Sequence, residues 1–147
     1  MTYTIGETAE LLGVPASTMR YYDKEGLLPE LSRGAGGRRA FEDKDLEALK
    51  VIDCLKQSGL HISEIRQFMQ WYQQGDETLK QRQELFQNCR TSVLEQMEQL
   101  QRTLEIVEYK CWYYEAATSL GSEQAVIDLP EDQIPARIRG YRDRLEV

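Results

Sequence analysis

Small-molecule chemistry has few handles in this 147-residue chain. Its three cysteines, Cys54, Cys89 and Cys111, are odd in number, far apart and without Cys-x-x-Cys spacing, which excludes a disulfide framework and a zinc ribbon. Histidine occurs once, at His61, so Cys54 with His61 is the one nucleophile–base pair an enzyme could use. Seven residues across a predicted helix end separate them, and no enzyme, metal or cofactor is expected. No apolar run approaches the roughly 20 residues of a membrane span. The N-terminus also lacks the basic-then-apolar layout of a signal peptide, so a cytoplasmic protein is expected. Positive charge is scarce as well: 18 Lys and Arg stand against 25 Asp and Glu, a formal net charge of −7.

What is present is organised around the stretch from Pro15 to Gly26. Proline suits a first helical turn and glycine the position just past the end, so a short helix is predicted between them. Met19 and Tyr22 can pack inward with Tyr21 beside them, while Ser17, Thr18, Arg20 and Lys24 present hydroxyl, guanidinium and ammonium donors. Upstream, Tyr3 to Val14 reads as a first helix with Thr4 as N-cap and Glu7 completing a capping box. Ile5, Ala9 and Leu12 line one face of it, and Gly13-Val14 turns directly into Pro15. Helix, short Gly-containing turn, helix is the arrangement that lays its second helix in a DNA major groove. A solvated surface helix is the competing reading of the second segment.

Three arginines, Arg33, Arg38 and Arg39, then crowd three glycines in Arg33 to Phe41, the composition of a hairpin wing reaching over phosphates or of a flexible Gly-rich loop. Asp43 can cap a third helix, Lys44 to Ser58, with Leu46, Leu49, Ile52 and Leu55 at helical spacing. Gly59 ends it, and a fourth helix comes next with Ile62, Ile65, Phe68, Met69 and Tyr72 apolar. His61, at its start, reads as a capping or surface group rather than a ligand. Residues 1–75 carry nine cations against eleven acids, and the remainder nine against fourteen. Binding a polyanion therefore requires a few well-placed cations together with helix N-termini.

Gly75-Asp76 marks a break, with Asp76 as the expected N-cap of a fifth helix. Leu79, Phe86, Val93, Leu100, Val107 and Tyr114 then repeat every seven residues, with Met97, Leu104 and Cys111 as a second row and no Gly or Pro until Gly121. A helix of about 40 residues would be some 60 Å long, and a narrow apolar stripe along it needs a partner helix. The same helix from a second copy is the economical partner, flanked by Arg90, Glu95, Glu98, Arg102 and Lys110; folding back onto its own domain is the alternative. A coiled-coil interaction module without DNA binding would share this helix but have no use for Arg38 and Arg39. In the tail, Ile134, Ile138, Tyr141 and Leu145 can form a short amphipathic helix, and Arg137, Arg139, Arg142 and Arg144 are expected to be solvated beside Glu131, Asp132, Asp143 and Glu146.

In Thr4-Ile5-Gly6-Glu7, Gly13-Val14, Thr18-Met19-Arg20-Tyr21-Tyr22, Gly26-Leu27, Gly37-Arg38-Arg39-Ala40-Phe41, Asp45-Leu46 and Gly59 to Ile65, the sequence resembles the MerR family of bacterial transcription regulators. The resemblance is close over the first half of the chain. It implies a mainly α fold: a winged helix-turn-helix DNA-binding domain over 1–75, a long antiparallel coiled-coil dimerisation helix over 76–120 built on the six heptad residues, and a short tail over 121–147. It further implies that a homodimer binds a near-palindromic operator in double-stranded promoter DNA, then bends and untwists it for RNA polymerase. Ser17, Thr18, Arg20, Tyr21, Tyr22, Lys24, Arg38, Arg39, Phe41 and Lys56 are the DNA-binding residues it implies. Phe41 departs from the family pattern, which usually has Tyr there, and removes one hydroxyl from the wing.

Metal-sensing relatives resemble one another in a cysteine pair after the long helix, and this chain has neither Cys nor His there. Cys54 stands where the aldehyde- and thiol-stress-responsive branch carries its single cysteine, and Lys50 or Lys56 could favour its thiolate. A buried, inert thiol in the third helix is the other reading. Trp71, Trp112, Tyr113 and Tyr114 offer a further sensor, an aromatic pocket for an apolar or cationic ligand where the ends of opposite dimer helices meet, or else ordinary packing.

Overall fold

The computed structural model describes residues 1–145; Glu146 and Val147, part of the tail expected over 121–147, lie outside the described residues. The chain is mostly helical and divides into two compact units, Met1–Val93 and Leu94–Val147. Among the described residues no helix is long and apolar enough to cross a membrane.

In the first unit, strand β1 (Thr2–Tyr3) precedes α1 (Ile5–Leu12) and α2 (Ala16–Lys24). Thr4 caps α1 as its spacing predicts: the Glu7 N–H donates to Thr4 Oγ1 and the Thr4 N–H to Glu7 Oε2 at 2.7 Å. Gly13, at φ 64°, takes the left-handed turn that ends α1 and admits α2. At the far end of α2, the Leu27 N–H donates to the Tyr22 carbonyl and the Gly26 N–H to the Asp23 carbonyl. This closes the helix while Tyr22 and Leu27 bury against the same core. Strands β2 (Ser32–Arg33) and β3 (Arg39–Glu42) come next, with β3 central in a three-stranded antiparallel sheet. Tyr3 pairs with Phe41 on one side, and Ser32 with Ala40 and Arg33 with Arg39 on the other.

Helices α3 (Asp43–Gln57) and α4 (Ile62–Gln74) complete the core, which collects Met19, Tyr22, Leu27, Phe41, Leu49, Ile52, Leu55, Ile65 and Phe68. The cap of α3 is Glu42, not Asp43; its N–H donates to Asp45 Oδ2 at 2.8 Å. Asp43 is drawn away by the Tyr3 hydroxyl at 3.1 Å and by the N-terminal ammonium. His61 caps α4, its N–H donating to Glu64 Oε2. On α4, Ile65, Phe68 and Met69 are buried, whereas Tyr72, expected on that apolar face, is exposed beneath the Arg82 guanidinium.

The long helix α5 runs over Leu79–Leu120, 42 residues. Its entry is built by Thr78 and Arg82 rather than by the expected Asp76 cap. The Thr78 hydroxyl donates to the Trp71 carbonyl, and Arg82 Nη2 donates to the Gly75 carbonyl at 2.7 Å. All six heptad residues stand open, from 39% exposed at Phe86 and Val93 to 69% at Leu100, and Met97 and Leu104 with them.

In the second unit, Ala117, Val126, Ile134 and Ile138 form the buried apolar set where α6 (Glu123–Ile127) and α7 (Ala136–Leu145) are placed. Tyr141 is half-buried and Leu145 exposed. The tail arginines are not simply solvated. Arg142 grips Glu131 with two bonds of 2.8 and 3.0 Å, while Arg144 and Arg137 reach Glu105 and Glu108 on α5.

Candidate nucleic-acid interface

Helix α2 has two unlike faces. Met19 and Tyr22 sit in the core, and burial together with nearby Asp53 raises the Tyr22 phenol above its ordinary range, keeping it protonated. Ser17, Arg20, Tyr21 and Lys24, spaced three, four and seven residues along the helix, are exposed, and Thr18 is half-buried. The sequence places Tyr22 among the DNA contacts; the structure buries it, leaving Tyr21 as the aromatic available at the surface, with ring centroids 6.2 Å apart.

The wing is the hairpin between β2 and β3. Gly36 and Gly37 both adopt positive φ, near 73°, a conformation that L side chains rarely take, and the Gly34 N–H donates to the Arg38 carbonyl across the turn. Arg38 is exposed at this turn. Arg39 is only 26% exposed in its side chain and donates through Nε to Asp23 Oδ2 at 2.7 Å. Phe41 is fully buried, which corrects its place among the surface contacts: the ring anchors the wing from within the core.

Lys56, on the last turn of α3, is exposed. Next to it the chain makes a third glycine-terminated helix end: Leu60 N–H bonds the Leu55 carbonyl and Gly59 N–H the Lys56 carbonyl, which turns the backbone into the α4 N-terminus. Among the nine Lys and Arg of residues 1–75, five are paired with carboxylates: Arg33 and Arg39 with Asp23, Lys44 with Glu30 and Glu42, Lys50 with Glu47, and Arg66 with Glu25. Arg20, Lys24, Arg38 and Lys56 have no ion-pair partner among the described residues, and all four are exposed.

Two links escaped the sequence reading. Asp23 takes two of the three wing arginines, Arg33 and Arg39, and Arg66 on α4 donates to the Glu25 carbonyl at 2.7 Å, tying α4 to the end of α2. An acid beside Arg20 and Lys24 in α2 was the available signal for the first. Of the thiols, Cys54 and Cys111 are exposed and Cys89 is buried in the core, where burial pushes its thiol up. The exposure of Cys54 removes the buried-thiol reading, while Lys50 is turned to Glu47 at 2.8 Å rather than left to the sulfur. The aromatics of α5 pack within their own unit. Tyr109, Trp112 and Tyr113 line a cavity of about 210 Å³ with Val126, Ile134 and Arg142, and Tyr114 alone of the expected cluster in this helix is exposed.

Comparison with known proteins agrees with this geometry. The family described as MerR HTH family regulatory protein matches residues 3–71, and the one described as MerR, DNA binding matches residues 46–107. The chain is 44% identical over 135 residues to an uncharacterised HTH-type transcriptional regulator of Haemophilus influenzae, covering 92% of this chain and 98% of that protein. Among crystal structures it is similar to HiNmlR, a MerR family regulator lacking the sensor domain, bound to promoter DNA, at 43% identity and a TM-score of 0.77, covering 85% of this chain and 99% of that one. A MerR family regulator from Bacillus thuringiensis is similar at 37% identity and a TM-score of 0.71, covering 76% and 97%. An exposed donor face on α2, a glycine-turned arginine wing and these likenesses together make the chain a member of the MerR family of DNA-binding transcriptional regulators.

Proposed function

We propose that this regulator binds a near-palindromic promoter operator as a homodimer and controls transcription by deforming the DNA between the promoter elements that RNA polymerase reads. Residues 1–75 form the reading head, 76–120 the dimerisation helix and 121–147 the tail. Ser17, Thr18, Arg20, Tyr21 and Lys24 meet the major groove, and Arg38, Lys56 and the α4 N-terminus meet phosphates. Tyr22, Arg39 and Phe41 hold these groups in place from behind. One observation carries the reading: the four cations of residues 1–75 without ion-pair partners among the described residues are Arg20, Lys24, Arg38 and Lys56, drawn from α2, the wing and the end of α3. A related regulator, HiNmlR, crystallised on promoter DNA, supports the same use here.

The second copy is supported by α5. Leu79, Phe86, Val93, Leu100, Val107 and Tyr114 form a seven-residue repeat that the chain itself leaves exposed. Cys54 is the proposed sensor for an aldehyde or other electrophile, because it is exposed on α3, close in sequence to the Lys56 contact. A second reading of the inducer is favoured by the cavity beside Tyr109, Trp112 and Tyr113, which would take a small apolar or cationic ligand within one chain.

A salt-titrated binding assay on the promoter of its own gene tests the reading. Arg38→Ala should weaken binding and reduce the log–log salt slope by about 0.9, the value for one phosphate. The assay is repeated with aldehyde on wild type and on Cys54→Ser. Equal responses in the two proteins would remove the thiol and leave the cavity as the inducer site.

A further inference from the structure

We propose that Asp23 sets specificity: its carboxylate withholds Arg33 and Arg39 from DNA phosphates and fixes the wing to α2 as one reading unit. The inference rests on the DNA-binding reading above and goes beyond it, because it gives an acidic residue a positive task inside an interface for a polyanion. Asp23 Oδ2 accepts from Arg39 Nε at 2.7 Å and from Arg33 Nη2 at 3.1 Å, so a single oxygen holds both guanidinium groups. The register explains why an acid is needed. Arg33 and Arg39 are directly opposed across β2 and β3, and like charges at opposed positions repel. Arg33 is further tethered through Nη1 to the Gly37 carbonyl at 3.4 Å. With a side chain only 13% exposed, Asp23 is largely enclosed by this arrangement, and its charge is met before DNA arrives.

Phosphate contacts carry no sequence information, so each arginine released to the backbone raises affinity for every duplex alike and steepens the salt dependence. Holding two of the wing's three arginines internally leaves Arg38 as the wing's phosphate contact and keeps discrimination with the exposed face of α2. It also couples the two elements. A wing tethered through Asp23 cannot slide along the backbone independently of the helix that reads the groove.

The test uses the full-length protein with a duplex of its own promoter and a scrambled duplex, titrated between about 50 and 200 mM salt. Asp23→Asn, which removes the charge and keeps the shape, is expected to steepen the log–log salt slope by about 0.9 for each arginine released, hence up to about 1.8. Over that fourfold range of salt the extra loss is about tenfold for two contacts, and the ratio of specific to scrambled binding falls. Asp23→Glu, which restores the charge, should return the slope towards wild type. Arg33→Ala, in the protein that keeps Asp23, should leave the slope unchanged, and this variant decides the matter if Asp23→Asn does not fold. A slope that drops by about 0.9 in Arg33→Ala shows Arg33 already on a phosphate and overturns the proposal. Equal weakening on both duplexes by Asp23→Asn without steepening also overturns it, by reducing Asp23 to scaffold. Absence of wild-type binding to the promoter duplex sinks the DNA-binding reading and this proposal with it, an outcome distinct from wild-type binding with an unaltered Asp23→Asn slope.

Discussion

The exposed stripe of α5 allows a quantitative forecast for Leu100→Ala. Leu100 is 69% exposed in the single chain, so about two thirds of its surface is available for burial by a second copy. Leu→Ala removes about three methyl or methylene groups, each worth about 0.8 kcal/mol on burial. Scaled by the exposure, that is about 1.7 kcal/mol for each chain, and a two-fold dimer carries the change twice, giving about 3 kcal/mol. At about 1.4 kcal/mol per decade, the dimer dissociation constant should rise about 200-fold. The folded chain itself should barely notice, since the side chain has little to lose where it stands. Sedimentation equilibrium over a dilution series reads the first quantity, and thermal unfolding extrapolated to low concentration reads the second. A dissociation constant that moves less than about threefold, equivalent to roughly 0.65 kcal/mol, would contradict the seam, as would a wild-type chain that sediments as a monomer throughout.

Local geometry sets three further outcomes. Thr4→Ala should lose about 1 kcal/mol, because it leaves the Glu7 N–H of α1 without its cap, and differential scanning calorimetry should show a fall of about 3 °C. Glu131 is held below the ordinary carboxylate range by Arg142, so the pair stabilises the tail above the unfolded pKa near 4.5 and is lost as pH falls through the lower folded value. Acid titration of α7 helicity should therefore show a transition below pH 4.5 that Glu131→Gln removes. Reaction with a small thiol reagent, monitored by mass spectrometry of peptides, should modify Cys54 rapidly and Cys89 only on unfolding, since one is exposed and the other buried with its thiol pushed up. Equal rates at the two sites would refute that ordering.

The elements legible in the sequence are those fixed by neighbours a few residues away. The Thr4 and Glu7 cap, the helix ends at Gly13, Gly26 and Gly59 and the uninterrupted heptads of α5 each depend on contacts within one or two turns or on a simple period. The parts that were not legible depend on segments that meet only after folding. Asp43 has the composition of a cap, but Tyr3, forty residues away, takes its carboxylate and leaves the role to Glu42. Asp76 likewise yields to Thr78 and Arg82, which satisfy the carbonyls of Trp71 and Gly75. At the candidate site, Arg20, Lys24, Arg38 and Lys56 have the exposure that a DNA contact requires. Tyr22 and Phe41 look the same in a motif whether they face solvent or the core, and only their neighbours in three dimensions separate the two. Asp23 escaped because its partners lie ten and sixteen residues away, across the turn of the wing.

An acidic chain that binds DNA faces an electrostatic problem, and the placement of its acids resolves it. With a net charge of −7 the chain gains no long-range steering towards a polyanion, so attraction must arise at contact. At physiological salt an exposed charge is felt over about 8 Å, so what counts at a phosphate contact is the state of the acids within residues 1–75 that neighbour its cations. Several of these are already occupied as acceptors. Asp23 holds the wing arginines, Glu25 holds Arg66, and Glu7, Asp45 and Glu64 accept backbone N–H groups at the starts of α1, α3 and α4. Each of these acids thus lowers the local field less than its formal charge implies while it fixes the position of a cation or a helix start. The same bonds that define the fold of the first unit leave Arg20, Lys24, Arg38 and Lys56 as the cations of residues 1–75 without an ion-pair partner among the described residues, so attraction to a phosphate at contact arises from these four although the chain as a whole is acidic.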